Sequence, residues 1–408
     1  MYWDLFRNFF HIGLFTIGGG YAMIPLIQQK VVQQKQWVSE EELVDLMAVA
    51  QSCPGIFAVN ISIFIGYKLR GVKGALCSTL GACLPSFLII LAIATLFQQF
   101  KDNEWVARFF RGIRPAVVAL IAVPVFRMAK SARVTRHTIW IPVAAALLIW
   151  LAGVSPIYII LVAGLGGYAY GQLINDPEDK ADEKPASPDS NSHSGQKAYA
   201  IPAATFLHSH KHTTHNMALL FLQLFWTFFC IGLFGFGGGY AMISMIQGEV
   251  VNRYHWMTMG EFTDIVAVSQ STPGPIGINS ATYVGYTAAM DAGHEWYWGL
   301  LGSVTATVAV VLPSLILMLI ISKFLMKFKD HPVVEHVFQG LRPAVVGLLA
   351  AAALLLMTEE NFGSRSECPW QFWISVGIFL FAFIGQRVYK MGPILLIVLC
   401  GLTGMLLL

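Results

Sequence analysis

Charge is scarce in this sequence. Asp, Glu, Lys and Arg make up 12% of its 408 residues, whereas 56% are hydrophobic. A soluble domain carries about 25% charged residues. The formal net charge of +3 is too small to indicate a nucleic-acid partner. The composition therefore predicts a protein that lies in a lipid bilayer and does not bind nucleic acid.

The sequence also lacks the common motifs of enzymes and metal sites. No Gly-x-Ser-x-Gly or His-Glu-x-x-His occurs, and no Gly-Lys-Ser/Thr follows its glycine triplets. Its six cysteines lie mostly in apolar stretches and have no metal-ligand spacing. We therefore predict a protein that is not an enzyme and that holds neither a cofactor nor a metal ion.

Apolar segments dominate the chain. The first contains Asp4 and Arg7 but no small-residue cleavage site, so it is expected to be a retained span rather than a signal peptide. Segments of spanning length lie at 5–29, 74–98, 105–128, 217–247, 299–322 and 333–357. Shorter ones lie at 137–152, 155–173, 371–385 and 391–408.

The chain is a tandem repeat. The segment from Phe10 to Ile24 returns almost unchanged from Phe229 to Ile243, 219 residues later (229 − 10). We call residues at equivalent positions of the two repeats twins. A duplicated hydrophobic unit whose glycine and proline breaks recur is typical of secondary transporters. Further twins are Gln51-Ser52-x-Pro54-Gly55 and Gln270-Ser271-x-Pro273-Gly274, Asn60 and Asn279, Leu84-Pro85-Ser86 and Leu312-Pro313-Ser314, and Arg114-Pro115 and Arg342-Pro343.

A polar segment separates the two halves. Residues 174–215 are rich in charge, Ser, Pro and His, and such a composition cannot bury a core. We therefore predict a first transporter repeat at 1–173, a flexible cytoplasmic linker at 174–215 and a second repeat at 216–408. The linker histidines could bind a metal, but nothing fixes their geometry, so a metal site is the weaker interpretation; they are His208, His210, His212 and His215.

Loop charges indicate that the two repeats are inverted. The segments 68–73 and 127–136 are basic, whereas their counterparts at 291–295 and 359–367 are acidic on balance. Because basic loops stay in the cytoplasm, this reversal predicts opposite orientations in the membrane. Inversion requires an odd number of crossings per half. The predicted fold is an all-α polytopic membrane protein with about five spans and one re-entrant hairpin per half, and with both termini outside.

The re-entrant hairpin is predicted at 39–71 and again at 258–286. Ser39 and Glu42 form a capping-box pattern that opens a short amphipathic helix, and Pro54-Gly55 ends it. A second short helix is expected to begin at Pro54, and its twin at Pro273, with its N-terminus in the membrane interior. Backbone amides and the helix dipole attract an anion there. Thr272 is expected to cap its helix better than Cys53, so the second turn should bind the anion more tightly.

Neutral polar residues and glycines surround these turns. The glycine triplets either let helices pack closely or form unwound segments whose amides face the substrate. The predicted substrate-binding residues in the first half are Gly18, Gly19, Gly20, Gln51, Ser52, Pro54, Gly55, Asn60 and Arg114. Those in the second half are Gly237, Gly238, Gly239, Gln270, Ser271, Thr272, Pro273, Gly274, Asn279 and Arg342.

Two arginines and two aspartates recur within apolar surroundings. For Arg114 and Arg342 the favoured interpretation is an interfacial side chain that reaches toward the headgroups. The alternative is a bidentate donor to a tetrahedral dianion. Asp45 and Asp264 are either the structural partners of these arginines or carriers of a coupling proton.

These motifs resemble those of the chromate ion transporters. The resemblance rests on Phe-x-x-Gly-Gly-Gly-x-Ala, Gln-Ser-x-Pro-Gly and Gly-x-Arg-Pro-Ala, and it covers both halves but not the linker. Pro275 completes Pro-Gly-Pro in the second half, whereas Ile56 stands at the twin position. The resemblance implies a multi-pass carrier of the bacterial inner (plasma) membrane, linked to chromate resistance, with sulfate as a similar oxyanion.

The expected function is secondary transport of an oxyanion, most directly chromate efflux or chromate/sulfate exchange. An anion channel, or a transporter of a different small anion, would use the same inverted repeat and helix N-termini. The expected partners are the oxyanion and the lipid bilayer, and a homodimer is among the assemblies allowed. Direction, coupling ion and choice among oxyanions do not follow from the sequence.

Overall fold

The computed structural model describes residues 1–16, 23–100, 103–132, 138–174, 217–236, 239–328 and 332–408. The described residues are 86% helical and contain no strand, which confirms the all-α class. The linker histidines lie outside the described residues. Among the described residues, no group of His, Cys, Asp or Glu has a geometry that could hold a metal ion.

Helices in the two repeats follow the same order. The first repeat contains α1 (Tyr2–Phe15), α2 (Ile24–Ile27, continued by a π-helical segment, Gln28–Gln34), α3 (Glu40–Ser52), α4 (Phe57–Phe100), α5 (Glu104–Ser131), α6 (Trp140–Ala152) and α7 (Pro156–Ile174). The second contains α8 (Met217–Phe234), α9 (Gly239–Gln247, continued by a π-helical segment, Gly248–Arg253), α10 (Met259–Ser271), α11 (Ile276–Gly293), α12 (Trp296–Phe328), α13 (Pro332–Leu355), α14 (Glu359–Phe362), α15 (Pro369–Arg387) and α16 (Pro393–Leu407).

Several helices are long and apolar enough to cross a membrane. Within the described residues there are five, together with three shorter apolar helices. This finding agrees with a multi-pass membrane protein; five spans in each half stay a prediction. The five are Phe57–Leu96, Glu104–Phe126, Met217–Phe234, Trp296–Lys323 and Pro369–Arg387.

Helix α4 reverses direction instead of running straight. Gly71 has φ +60°, and Gly66 lies so close to Gly74 that a Cβ atom at either glycine would contact backbone of the other. Ser78 Oγ donates a hydrogen bond to Ser62 O at 2.6 Å. In a straight helix, residues sixteen apart are roughly 24 Å apart. Helix α4 is therefore two antiparallel limbs, which we call α4a (57–69) and α4b (72–100).

Helices α3 and α4a form a closed hairpin. Glu42, near the beginning of α3, pairs with Lys68, near the end of α4a, at 2.5 Å. The two open ends therefore lie together, with the turn at 53–56 at the far end. Limb α4a is roughly 20 Å long, short of the ~30 Å hydrocarbon core. Helices α10 and α11 are the twins of α3 and α4a.

The first helix of each hairpin, α3 or α10, begins where the sequence predicts. Both capping boxes form, with Ser39 and Glu42 in the first repeat and Thr258 and Glu261 in the second. The helices after the turns begin later than predicted, at Phe57 and Ile276 rather than at Pro54 and Pro273. The shift arises because Gly55 and Gly274 have φ of +100° and +104°, which no helix accepts.

The final helices of each repeat pack against the other repeat. Helix α16 lies on α5, where a Cβ at Gly112 would be 2.6 Å from Gly404 Cα. Helix α7 lies on α13, where a Cβ at Gly340 would be 3.0 Å from Gly167 Cα. Gly112 and Gly340 are twins, so the two contacts are equivalent. Glycine allows this close approach of helix backbones, and the two repeats are interlocked by it.

Candidate functional site

The two hairpin turns are each bonded to the opposite repeat. The Gly55 N–H donates to Gly235 O at 3.0 Å, and the Gly274 N–H donates to Thr16 O at 2.8 Å. Thr16 and Gly235 are twins at the ends of α1 and α8. Each turn is therefore held by the end of the other repeat's first helix, and the two contacts are related by an approximate twofold axis.

Two buried serines extend this cross-repeat arrangement. Ser86 in α4b donates to Asn279 Oδ1 of the second repeat. Its twin Ser314 in α12 accepts from the Ile56 N–H of the first repeat at 3.3 Å. Sequence reasoning assigned these serines no role, although each follows a proline inside a repeated Leu-Pro-Ser motif. That repeated break in an apolar helix was the available signal.

Glycine is required at both turns. Gly55 and Gly274 have positive φ, a conformation that strains any residue with a side chain. A Cβ at Gly55 would overlap the side chain of Ser314, and a Cβ at Gly274 would overlap that of Ser86. The turns can therefore approach the opposite repeat only because these residues lack a side chain.

Asn60 and Asn279 fasten the turns from within each hairpin. Asn60 Nδ2 donates to Pro54 O at 3.2 Å. Asn279 Nδ2 donates to Thr272 Oγ1 at 3.1 Å and to Pro273 O at 3.4 Å. Both asparagines are fully buried. Each side-chain amide joins the helix after the turn to residues that precede the turn glycine. The two asparagines therefore shape the turns.

The predicted capping role of Thr272 is wrong. Thr272 Oγ1 donates to Val268 O at 2.8 Å, and α11 begins after Pro275 without any side-chain cap. A threonine at the end of a helix can bond back to the carbonyl four residues earlier, and this competes with capping. The structure therefore removes the reason for expecting tighter binding at the second turn.

Part of the second glycine triplet reaches the beginning of α11. A Cβ at Gly239 would lie 3.3 Å from Ile276 Cβ and 3.8 Å from Ile276 N. A Cβ at Gly277 would lie 3.5 Å from Cδ1 of Ile56, which immediately precedes α4a. The beginnings of α4a and α11 are thus close neighbours. The other triplet residues, Gly18, Gly19, Gly20, Gly237 and Gly238, lie outside the described residues.

The remaining polar residues of the turns differ in their contacts. Gln270 is 1% exposed, and neither its Nε2 nor its Oε1 has a hydrogen-bond partner within the described part of the chain. Ser271 Oγ donates to Ala267 O at 2.8 Å. Gln51 and Ser52 end α3, and their side chains lie outside the described structure. Gln270 therefore carries unused hydrogen-bonding capacity in the protein interior.

The structure joins Arg114 to Asp264 and keeps both away from the turns. Arg114 Nε and Nη2 donate to the two Asp264 carboxylate oxygens at 2.8 Å each. The side chains are 19% and 9% exposed. Asp264 precedes the end of α10 by about two helical turns, roughly 10 Å. This bidentate pair links the repeats, and it matches the structural-partner alternative for Asp264.

The twin arginine is placed differently. The Arg342 side chain is exposed, whereas Arg114 also donates from Nη1 to Glu360 O at 3.4 Å. The side chain of Asp45, the twin of Asp264, lies outside the described structure. The two arginines, identical in sequence context, therefore have unequal surroundings.

Comparison with known proteins identifies the family. The family profile described as "Chromate transporter" matches residues 3–168 and 222–405. A chromate transport protein of Pseudomonas aeruginosa is 28% identical over 412 residues, covering 99% of this chain and 92% of that protein. A chromate transport protein of Cupriavidus metallidurans is 26% identical over 357 residues, covering 86% of this chain and 82% of that protein.

A shorter relative corresponds to about one repeat. An uncharacterized transporter of Bacillus subtilis is 31% identical over 187 residues, which are 96% of that protein and 46% of this chain. No solved structure matches this chain. The family match covers both repeats, and the described helices agree with a multi-pass membrane protein. The chain therefore belongs to the chromate transporter family, whose members are transporters of the membrane.

Proposed function

We propose that this protein is a secondary transporter of oxyanions, with chromate as its substrate in efflux or in exchange for sulfate. One observation carries the proposal: the beginnings of α4a and α11, one from each repeat, lie side by side in the protein interior. Each is preceded by a turn that only glycine can form. Two relatives are named chromate transport proteins, which supports chromate as the oxyanion.

The chemistry of this region suits an anion. The first amides of a helix have no carbonyl acceptor within it, and the dipole leaves partial positive charge there. At α11 these are the amides of Ile276 and Gly277, beside Gly239. Gln270 adds unused amide donor capacity. We propose that the anion lies between the two turns, held by these groups, with Asn60 and Asn279 shaping the turns.

Arg342 is a second proposed contact. Its side chain is exposed, so that an anion in solution can reach it. An arginine presents a planar fork that matches a tetrahedral dianion. We propose that Arg342 attracts the anion at the entrance, and that Arg114 and Asp264 connect the repeats instead.

The hairpins are proposed to be re-entrant and the repeats inverted. The closed hairpin of α3 and α4a is too short to cross and return, and its ends are tied by Glu42 and Lys68. The exchanged packing of α7 and α16 and the exchanged turn contacts support an approximate twofold axis between the repeats. An axis in the membrane plane would place one hairpin on each side.

Topology can be tested with introduced cysteines. Inversion puts 127–136 and 174–215 in the cytoplasm and 358–368 outside, because basic loops are retained inside. Single cysteines at positions 133 and 365 are therefore expected to react with an impermeant maleimide from opposite sides. Reaction of both from the same side in intact cells would rule out the inverted arrangement.

Transport can be tested in reconstituted vesicles. We expect chromate uptake that saturates, that sulfate inhibits more strongly than phosphate, and that sulfate loaded inside the vesicles accelerates. Acceleration by internal sulfate indicates a carrier. In an exchanger, the binding site returns to the outside faster with an anion bound than when it is empty. Single-channel currents with no such acceleration would instead establish a channel.

A further inference from the structure

The two cross-repeat serine contacts are unequal although the serines occupy equivalent positions. Part of the difference is fixed by sequence, because Pro275, the twin of Ile56, has no N–H that Ser86 could bind. Ser86 Oγ is bonded to Asn279 Oδ1. Its twin Ser314 is bonded to the Ile56 N–H, and Asn60 Oδ1 has no hydrogen-bond partner within the described residues. Asn60 is fully buried. The second turn is thus bonded through its asparagine to the opposite serine, and the first turn is not.

The missing bond lies within reach of a small movement. The Cβ position of Gly55 lies 3.5 Å from Asn60 Oδ1 and overlaps Ser314 Oγ, so the hydroxyl and the unpaired oxygen flank the same glycine. At the twin position, the Cβ of Gly274 would lie 3.4 Å from Asn279 Oδ1 and overlap Ser86. An unpaired buried acceptor is costly, so pairing Asn60 would offset the loss of the Asn279 bond when the turns shift.

We propose that Ser86–Asn279 and Ser314–Asn60 are alternative bonds, one for each access state of the transporter. This inference rests on the proposed function. In a protein of two related repeats, exchanging the conformations of the repeats produces a second state of similar energy. The present structure has the first bond formed and the second open. Its counterpart, facing the other side of the membrane, has the second bond formed and the first open.

The serines then act as positioning residues, and their removal shifts the balance of states in opposite directions. Ser86→Ala deletes a bond of the present state, and Ser314→Ala deletes a bond of its counterpart. Ser314→Ala also removes the Ile56 N–H bond. In the proposed cycle the hydroxyl accepts that bond in both states and donates to Asn60 in only one, so its loss leaves the ratio of the states unchanged. One net hydrogen bond corresponds to a shift of about threefold to tenfold. A purely structural role would weaken both states alike and leave their ratio unchanged.

The test is the sidedness of labelling of a reporter cysteine. Ser271→Cys, half-buried beside the second turn, is introduced into a variant without the six native cysteines. Its reaction rate with an impermeant maleimide is measured from each side of oriented vesicles, without added anion. Ser86→Ala and Ser314→Ala are expected to change the ratio of the two rates in opposite directions, and the double variant to restore it.

Matched controls exist in the same two helices. Ser78 in α4b and Ser303 in α12 are buried, and each donates to a carbonyl of its own repeat, Ser62 O and Thr282 O. Their alanine variants are expected to leave the ratio unchanged. Asn279→Ala and Asn60→Ala remove the same bonds from the other side and serve if a serine variant does not accumulate.

The outcomes separate this inference from the proposed function. Shifts in the same direction, or no shift, in variants that accumulate normally would overturn the alternation. Opposite shifts in a protein that carries no chromate, sulfate, molybdate or phosphate would support the alternation and overturn the oxyanion assignment.

Discussion

Asp264→Ala is expected to lower the free energy of unfolding by about 3 kcal/mol, the cost of leaving a buried charge without its partner. Arg114 is 19% exposed and directs two nitrogens to Asp264 of the other repeat. The loss should appear as a lower midpoint of thermal unfolding of the purified protein in detergent, together with lower abundance in the membrane.

A surface pair supplies the control. Glu42 and Lys68 are even closer, at 2.5 Å, but are 50% and 37% exposed, and Glu42→Ala should cost about 1 kcal/mol or less. Replacing both buried partners, as Arg114→Met with Asp264→Leu, should recover most of the loss because no charge is left unpaired. An Asp264→Ala variant as stable as Glu42→Ala would show that the pair does not hold the repeats together.

The double variant also separates the two roles considered for Asp264. If Asp264 carries a coupling proton, the stable variant without it should transport chromate independently of a proton gradient. If Asp264 is only the partner of Arg114, the dependence on the gradient should equal that of the unmodified protein. The geometry predicts the second result, because the pair lies about two helical turns from the end of α10.

Gly55→Ala and Gly274→Ala are each expected to reduce transport by a factor of at least about 10. Alanine at a φ of +100° or +104° is strained, at a cost of about 1–3 kcal/mol, and 1.4 kcal/mol corresponds to a tenfold change. The added Cβ would also overlap Ser314 or Ser86. Both effects displace the turn from the opposite repeat.

The two losses should be nearly equal. The sequence had suggested a greater loss at Gly274, on the argument that Thr272 caps α11, but the Thr272 hydroxyl bonds to Val268 O. Gly166→Ala and Gly377→Ala are the controls, because both glycines lie in helices with open space at the Cβ position. Their transport should be unchanged. Normal transport by Gly274→Ala at normal abundance would exclude the turn from the mechanism.

Local features of the hairpins followed from sequence because their causes are local. A capping box needs only two residues three positions apart, and Ser39 and Glu42 form one as predicted. A glycine after proline marks a turn, and Gly55 and Gly274 have positive φ. The helices that follow each begin three residues later than predicted, since the φ values of these glycines delay the first helical residue.

Contacts between the repeats could not be predicted in the same way. Internal similarity shows which residues are equivalent but not which of them touch. Arg114 has Asp45 in its own repeat and Asp264 in the other, and only the structure selects Asp264. Ser86 and Ser314 were visible as part of a repeated motif, yet their partners lie on the opposite repeat. Pairing across an approximate twofold axis depends on how the helices pack.

Equilibrium binding of chromate to the purified protein tests whether an oxyanion binds between the two turns. The unmodified protein and Gly377→Ala are expected to bind chromate saturably and to release it to sulfate. Gly274→Ala should bind at least about tenfold more weakly, since 1.4 kcal/mol of strain suffices for that. Equal chromate affinity in all three proteins would contradict the claim and place the anion elsewhere.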